Sequence, residues 1–297
     1  MSFDLAAYLA ERARAVDEAL GRCLPAESAP PETLHRAMRY SVFAGGKRLR
    51  PVLVIAGAEA VGGNPDAVMP TACAVEMIHT YSLIHDDLPA MDNDDFRRGV
   101  PTNHKVFGEA IAILAGDALL TLAFRLLADN VPAASDGPRL RDVLVEIADA
   151  AGSSGMVGGQ VADIEGEGKP ADTETVDYIH AHKTAALIRA SIRAGAILAG
   201  GGMRQLDALG VAGAALGLAF QIMDDVLDVT ATTEELGKTA GKDEAQQKAT
   251  YPAVHGIEAS RGRARALVAR AHAALEPLGP RAEPLRALGT FIIERKA

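Results

Sequence analysis

The sequence contains no tryptophan and only two cysteines, and aromatic residues make up 4% of its 297 positions. Cys23 and Cys73 lack the spacing of a metal-binding or redox motif, so we interpret them as reduced thiols of a cytoplasmic protein. The longest run without a charged residue covers 16 positions, 208–223, whereas a membrane-spanning helix needs roughly 18 or more. The sequence therefore predicts no membrane span.

Positive charge is also scarce, because 30 lysines and arginines face 39 aspartates and glutamates, which gives a net charge of −9. This balance argues against a general binder of nucleic acid or of anionic membranes. Any anionic substrate must therefore meet a local basic site. The first 20 residues carry charges among their apolar positions, which excludes the uninterrupted apolar segment of a signal peptide.

Helical periodicity is the main pattern in the sequence. Hydrophobic residues make up 48% of the chain and recur at helical spacing, while alternating β-branched runs are scarce. The sequence predicts an all-α protein without a linker that would separate domains. The predicted helices cover residues 3–20, 31–43, 52–61, 70–88, 111–128, 138–151, 173–199, 203–229, 260–275 and 280–294.

Two acidic clusters end two of these helices. In the second cluster Asp224 and Asp228 are four residues apart, so they share a helix face about 6 Å apart in rise, with Gln221 one turn earlier. In the first cluster Asp86 and Asp92 are six apart and would diverge on a continuous helix. Pro89 disfavours further helix at this point, so the chain can bring Asp92 back towards Asp86.

Carboxylates gathered beside apolar residues repel one another unless they share cations. Magnesium prefers oxygen ligands and usually completes its coordination with substrate phosphates. The two clusters together therefore predict a magnesium-dependent diphosphate site.

Basic residues near both clusters fit the same chemistry, because lysine supplies a point charge and arginine a bidentate fork for phosphate oxygens. His79 lies nearly two turns before Asp86 on the same helix side. His85 points about 100° away from Asp86 around the helix, and we interpret it as structural. The basic candidates are the 45–51 segment (GGKRLRP), Arg97, Arg98, Lys183, Lys238, Lys242 and Lys248.

In this order the motifs resemble those of the trans-isoprenyl diphosphate synthases, most similar to bacterial farnesyl diphosphate synthases. The resemblance covers residues 47–248 and continues more loosely towards the C-terminus. It implies a single polyprenyl synthase domain over residues 1–297, in which a bundle of long helices surrounds a central cavity. It also implies a homodimer, with isopentenyl diphosphate and an allylic diphosphate as substrates.

The resemblance further implies the roles of individual residues. Asp86, Asp92 and Asp224 would ligate three Mg²⁺ ions on the allylic diphosphate. That diphosphate would also be bound by Arg97, Lys183, Thr184, Gln221, Lys238 and Lys248, with Lys242 competing for the role of Lys248. The diphosphate of isopentenyl diphosphate would be bound by Lys47, Arg50, His79 and Arg98.

Tyr81 lies five positions before the first aspartate, where a bulky aromatic residue in this family accompanies products of fifteen carbons. A simple helical wheel instead places Ser82 nearer Asp86, so the assignment of this role to Tyr81 rests on the resemblance and not on geometry. The resemblance therefore implies farnesyl diphosphate as product, with geranylgeranyl diphosphate as the alternative.

Two remote alternatives remain. His85 and Asp86 could belong to a helical metal-dependent phosphohydrolase, which would leave the basic motifs unexplained. The chain could also be a non-catalytic subunit of a heteromeric prenyl synthase, although both acidic motifs are intact. At the C-terminus, Arg295 and Lys296 could cover the diphosphates or form a solvated tail.

Overall fold

The structure, a computed structural model, describes residues 3–130, 137–170, 172–230 and 248–295. Lys238, Lys242 and Lys296 lie outside these ranges. The helices are α1 (Leu5–Cys23), α2 (Glu32–Val42), α3 (Leu49–Ala60), α4 (Met69–Asp86), α5 (Asn103–Phe107), α6 (Glu109–Asp129), α7 (Gly137–Ala151), α8 (Met156–Gly166), α9 (Thr173–Ile179), α10 (Ala186–Leu198), α11 (Met203–Thr230), α12 (Tyr251–His255), α13 (Ile257–Leu275) and α14 (Glu283–Glu294).

Shorter elements connect some of these helices. A π-helical turn, His180–Ala185, joins α9 to α10, and 3₁₀ turns cover Pro65–Val68 and Glu276–Ala282. Two-residue antiparallel strands, β1 (Phe96–Arg97) and β2 (Val100–Pro101), form a hairpin after α4. The protein is all-α, as the sequence predicts.

The helix starts follow their sequence signals. The Asp4 carboxylate accepts a hydrogen bond from the Ala7 amide at 3.0 Å, and the Asp172 carboxylate caps α9 through the Thr175 amide at 2.8 Å. Pro70 occupies the first turn of α4, where its missing N–H costs no helical hydrogen bond.

Buried apolar side chains form two clusters. One lies among α1, α2, α4, α6 and α7, the other among α11, α13 and α14, and α3 and α10 contribute to both. At the crossing of α3 and α10 the backbones touch: a Cβ on Gly57 would lie 2.0 Å from the Ile192 carbonyl oxygen, and one on Gly195 1.8 Å from that of Val54. Only glycine permits this approach.

Two helices among the described residues, α6 and α11, are long and apolar enough to cross a membrane by length and composition alone. This is weak evidence, since core helices of soluble proteins pass the same test. Helix α11 packs against α10 and α13. Helix α6 packs against α4 along one side and exposes Ile113 and Leu114 on the other.

Candidate active site

The first acidic segment leaves the helix as the break at Pro89 predicts. Helix α4 ends at Asp86, and the Asp92 amide donates to the Asp86 carbonyl oxygen at 2.8 Å. Asn93 has a positive φ of 49°, which completes the reversal. The turn therefore returns Asp92 to the helix end that carries Asp86.

Asp86 is held in an unfavourable electrostatic environment. Burial raises its pKa to about 6, the negative charges of Asp92 and Asp87 add to the rise, and the positive charges of Lys183 and Arg97 oppose it. The approach of a cation therefore stabilises the ionised form of the Asp86 carboxylate.

Asp87 points into the protein and fixes Arg97. Arg97 Nε lies 2.8 and 3.0 Å from the two Asp87 carboxylate oxygens, and Nη2 lies 2.7 Å from Oδ1. Arg97 is thus next to the acidic segment, as a residue of the same site should be.

The second acidic cluster lies near the end of α11. Asp224 is partly exposed and pairs with Arg295, whose guanidinium also donates to the Phe220 carbonyl oxygen at 3.1 Å and stacks over the Phe220 ring. Only 7% of the Arg295 side chain is exposed, so Arg295 is not part of a solvated tail. Asp225 and Asp228 are buried.

Two lysines lie close to Asp163, an acidic residue outside both clusters. Lys183 Nζ lies 2.6 Å from the carboxylate of Asp163 on α8, and Lys248 Nζ lies 3.0 Å from Asp92 and 3.8 Å from Asp163. Lys248 is therefore beside the first acidic segment. Asp163, Lys183 and Lys248 line a cavity together with Thr184 and Gln221.

A second, basic region surrounds His79 on α4. Burial lowers the pKa of His79 well below its ordinary value, and the charges of Arg50, Arg98, Arg97 and Arg48 lower it further. His79 is therefore neutral and can donate or accept a hydrogen bond. A region with this many cations is suited to an anion.

Arg48 and Arg50 have different environments despite their proximity in sequence. Arg48 is buried and is paired with Asp17 at 2.7 Å and Glu76 at 2.8 Å. Within the described residues no carboxylate lies within ion-pair distance of Arg50, and its Nε is buried without a hydrogen-bond partner. Burial and the charge of Arg98 lower the pKa of Arg50. Arg48 therefore serves the fold, while Arg50 is available for a ligand.

Arg98 lies against the turn before α3. Its guanidinium donates to the Gly45 carbonyl oxygen and packs on Gly46, where a Cβ would lie 2.5 Å from Nη1. Gly45 and Gly46 have φ of 93° and 129°, a conformation that glycine adopts readily. Lys47 is exposed in the same turn. The structure thus brings Lys47, Arg50, His79 and Arg98 to one region.

Tyr81 is buried on α4, with 7% of its surface exposed. Its ring meets the His85 ring edge to face at a centroid distance of 5.7 Å. His85 in turn packs on Gly116 of α6, where a Cβ would lie 2.2 Å from Nε2. Tyr81 therefore belongs to the wall between α4 and α6, below the first acidic segment.

In the described parts of the chain no group of three or more His, Cys, Asp or Glu side chains is placed so that it could hold a metal ion. Mg²⁺ typically takes one or two carboxylates from the protein and fills its remaining positions with water and substrate phosphate. The oxygen-only donors and the raised pKa of Asp86 fit such an ion.

Sequence reasoning missed Asp163, which lies 2.6 Å from Lys183. A signal was present in Gly158-Gly159-Gln160, three residues before it. A Cβ on Gly159 would lie 2.2 Å from the Lys183 amide nitrogen, so glycine lets α8 touch the π-helical turn. Lys238, also assigned to this site by resemblance, lies outside the described residues.

Most of the chain matches one known protein family. The model of the polyprenyl synthetase family matches residues 31–276. The chain belongs to the polyprenyl synthetase family. As a polyprenyl synthetase it is a trans-prenyltransferase, which removes the phosphohydrolase alternative.

Relatives of this polyprenyl synthetase carry several product names. A dimethylallyltranstransferase of Fischerella ambigua is 51% identical over 99% of this chain and 84% of its own. A farnesyl diphosphate synthase of Geobacillus stearothermophilus is 52% identical over 83% of each chain. The solved geranylgeranyl pyrophosphate synthetase of Pyrococcus horikoshii superposes with a TM-score of 0.89 at 34% identity, covering 98% of both chains.

Proposed function

We propose that this polyprenyl synthetase makes farnesyl diphosphate by joining isopentenyl diphosphate to dimethylallyl and then geranyl diphosphate. Its two substrates need two anion sites of different kind. The carboxylates and lysines around Asp86 suit a metal-bound diphosphate, and the arginines around His79 suit a diphosphate bound without metal. The juxtaposition of these two regions carries the proposal.

In the proposal, Asp86, Asp92 and Asp224 would hold three Mg²⁺ ions, which would neutralise charge on the allylic diphosphate. Lys183, Lys248 and Arg97, together with Lys238, bind the same diphosphate through its oxygens. These lysine and arginine side chains stabilise the negative charge that develops on the diphosphate as the allylic carbon–oxygen bond breaks.

The second substrate occupies the region of Lys47, Arg50, His79 and Arg98. The isopentenyl double bond attacks the allylic carbocation, which forms the new carbon–carbon bond, and loss of a proton restores a double bond. The released diphosphate accepts that proton. Because His79 is neutral, it adds a hydrogen bond to this region without adding charge.

Tyr81 supports a fifteen-carbon product. The growing chain would descend along α4 from Asp86, and the phenol ring, buried against His85, would obstruct it about one turn below. Geranylgeranyl diphosphate is the alternative, since that product would use the same diphosphate residues.

Product analysis tests the proposal. Purified protein incubated with Mg²⁺, isopentenyl diphosphate and geranyl diphosphate should yield mainly the fifteen-carbon product, and Tyr81→Ala should yield longer products because the obstruction is removed. Ser82→Ala is the matched control, because the Ser82 hydroxyl donates to the His79 carbonyl oxygen at 2.8 Å within the helix. Mainly twenty-carbon product from the native protein would contradict the farnesyl assignment, and no product would favour the non-catalytic subunit.

The proposal also includes a cytoplasmic homodimer of a single domain covering residues 1–297. The exposed apolar side of α6 supports the dimer. Ile113 and Leu114 are 43% and 52% exposed, and only a third of the most apolar 18-residue stretch of this helix is buried. Such a side is suited to burial against a second copy.

A further inference from the structure

The two cysteines of the chain meet in the folded protein. Cys23 is the last residue of α1, and Cys73 lies in the first half of α4, 50 positions later in the sequence. Both side chains belong to the same apolar cluster, and their thiol groups are hydrogen-bonded to each other. The packing of α1 on α4 thus joins two thiols that have no redox spacing in the sequence.

The end of α1 that carries Cys23 is fixed on the protein. The guanidinium of Arg39 on α2 donates to the carbonyl oxygens of Gly21, Leu24 and Pro25 at 3.3–3.4 Å. These three carbonyl groups lie on both sides of Cys23 along the chain. The Cys23 thiol is therefore held in place beside α4.

A second contact ties the same stretches of α1 and α4 together. Arg48 is paired with Asp17 of α1 at 2.7 Å and with Glu76 of α4 at 2.8 Å. Asp17 comes six residues before Cys23, and Glu76 comes three residues after Cys73. A bond between the two sulfur atoms would therefore join helix segments that are already in contact, without rearrangement of the fold.

The two thiols differ in exposure and in reactivity. Cys23 is half-buried, whereas the Cys73 side chain is fully buried. The hydrogen bond from Cys73 and the charge of Arg22 lower the pKa of Cys23 to about 7, against the effect of burial. The same hydrogen bond and burial raise the pKa of Cys73. Because the thiolate is the reactive form, Cys23 is the thiol that reacts with a solvent-borne oxidant.

We propose that Cys23 and Cys73 are a redox pair that forms an intramolecular disulfide between α1 and α4 when the protein meets a peroxide. The Cys23 thiolate attacks one peroxide oxygen, the O–O bond breaks, and the departing hydroxide takes up the proton that the thiol released. The Cys73 sulfur then attacks the sulfur of the Cys23 sulfenic acid. The S–O bond breaks, and hydroxide leaves as water with the Cys73 proton. Two thiols are oxidised and one peroxide is reduced to two waters.

The disulfide would stabilise the part of the fold that supports the site. It closes a loop of about 50 residues, which restricts the unfolded chain. It also holds α4, the helix that carries His79 and Asp86, against α1. We expect the melting temperature of the oxidised protein to exceed that of the reduced protein by about 5 °C or more, and to return when a dithiol reduces the bond.

Peptide mapping by mass spectrometry tests the pair in the purified full chain. After brief treatment with hydrogen peroxide, the native protein should yield a linked Cys23–Cys73 peptide pair about 2 Da lighter than the sum of its reduced parts. In Cys73→Ala, which keeps an apolar side chain in the buried position, Cys23 should instead gain about 16 or 32 Da of oxygen. In Cys23→Ser, Cys73 should stay unmodified because peroxide cannot reach it. Circular dichroism checks that each variant is folded.

The outcomes that would overturn the inference are distinct. Oxygen added to Cys23 of the native protein while Cys73 keeps its thiol would show that the two residues do not pair. A disulfide between two copies of the chain, or oxidation of Cys73 in Cys23→Ser as fast as in the native protein, would contradict the assigned order of reaction. None of these measurements uses a prenyl substrate, so their result is independent of the proposed function.

Discussion

The environment of Asp86 predicts that removing its charge stabilises the metal-free protein. Its pKa rises from an ordinary value of 3.8 to about 6, and each unit corresponds to about 1.36 kcal/mol between the two protonation states. The difference of about 2.2 units gives up to about 3 kcal/mol. Asp86→Asn should therefore raise the free energy of unfolding at pH 8 by up to about 3 kcal/mol, while it abolishes prenyl transfer.

The pH dependence follows from the sign of the shift. Between pH 4 and pH 6 the native state keeps a proton on Asp86 that the unfolded state has lost, so native stability decreases as the pH rises through this range. In Asp86→Asn this decrease should be absent. The difference in melting temperature between variant and native protein should therefore be small at pH 4 and reach several degrees at pH 8, with Mg²⁺ removed by a chelator.

Asp95→Asn provides the control in the same segment. The Asp95 side chain is 59% exposed and pairs with Lys105 at 2.8 Å, which lowers the Asp95 pKa. Its removal should change the melting temperature little and in the opposite direction. A melting temperature of Asp86→Asn below that of the native protein at pH 8, or a gain of equal size at pH 4 and pH 8, would refute the reasoning. Adding Mg²⁺ with inorganic diphosphate should stabilise the native protein more than Asp86→Asn, since ligands that bind only the native state raise its stability.

Further substitutions test the roles of two arginines and of a close backbone approach. Arg48→Met leaves a buried carboxylate unpaired and should cost about 3–5 kcal/mol of stability in urea unfolding. Arg50→Met should leave stability nearly unchanged and raise KM for isopentenyl diphosphate about 10- to 100-fold, which is the size of a lost charged hydrogen bond. Reversed effects of the two arginine substitutions would contradict the assignment. Gly159→Ala places a Cβ 2.2 Å from the Lys183 amide nitrogen, so it should lower the free energy of unfolding by about 1–3 kcal/mol and should also lower kcat. Gly262→Ala, with open space around the added Cβ, should change neither quantity.

Most of the fold could be predicted from the sequence because helical periodicity is strong and persists along the chain. All ten predicted helices correspond to helical segments of the structure, with ends shifted by a few residues. Helix α8 was missed, because Gly158 and Gly159 lower its helix propensity and tertiary contact with the π-helical turn compensates. The hairpin at Phe96–Arg97 was missed because two residues are too few for a periodic signal.

The candidate site was less predictable where burial decides the role of a residue. The sequence places Arg48 and Arg50 in one basic segment, and only the structure shows that Glu76 and Asp17 neutralise the first. The contact of His180 with Asp225 was also beyond prediction, since it joins residues 45 positions apart.

The hairpin that follows α4 bears on how the two substrates bind. Arg97 and Arg98 are consecutive, yet Arg97 pairs with Asp87 beside the acidic segment and Arg98 contacts Gly45 in the turn before α3. A positive φ of 54° at Arg98 sends the two side chains to different regions. One peptide bond thus joins the two proposed diphosphate sites. A substrate that holds one of these arginines therefore also restrains the backbone of the other, and we expect the two binding events to be coupled without any contact between the substrates.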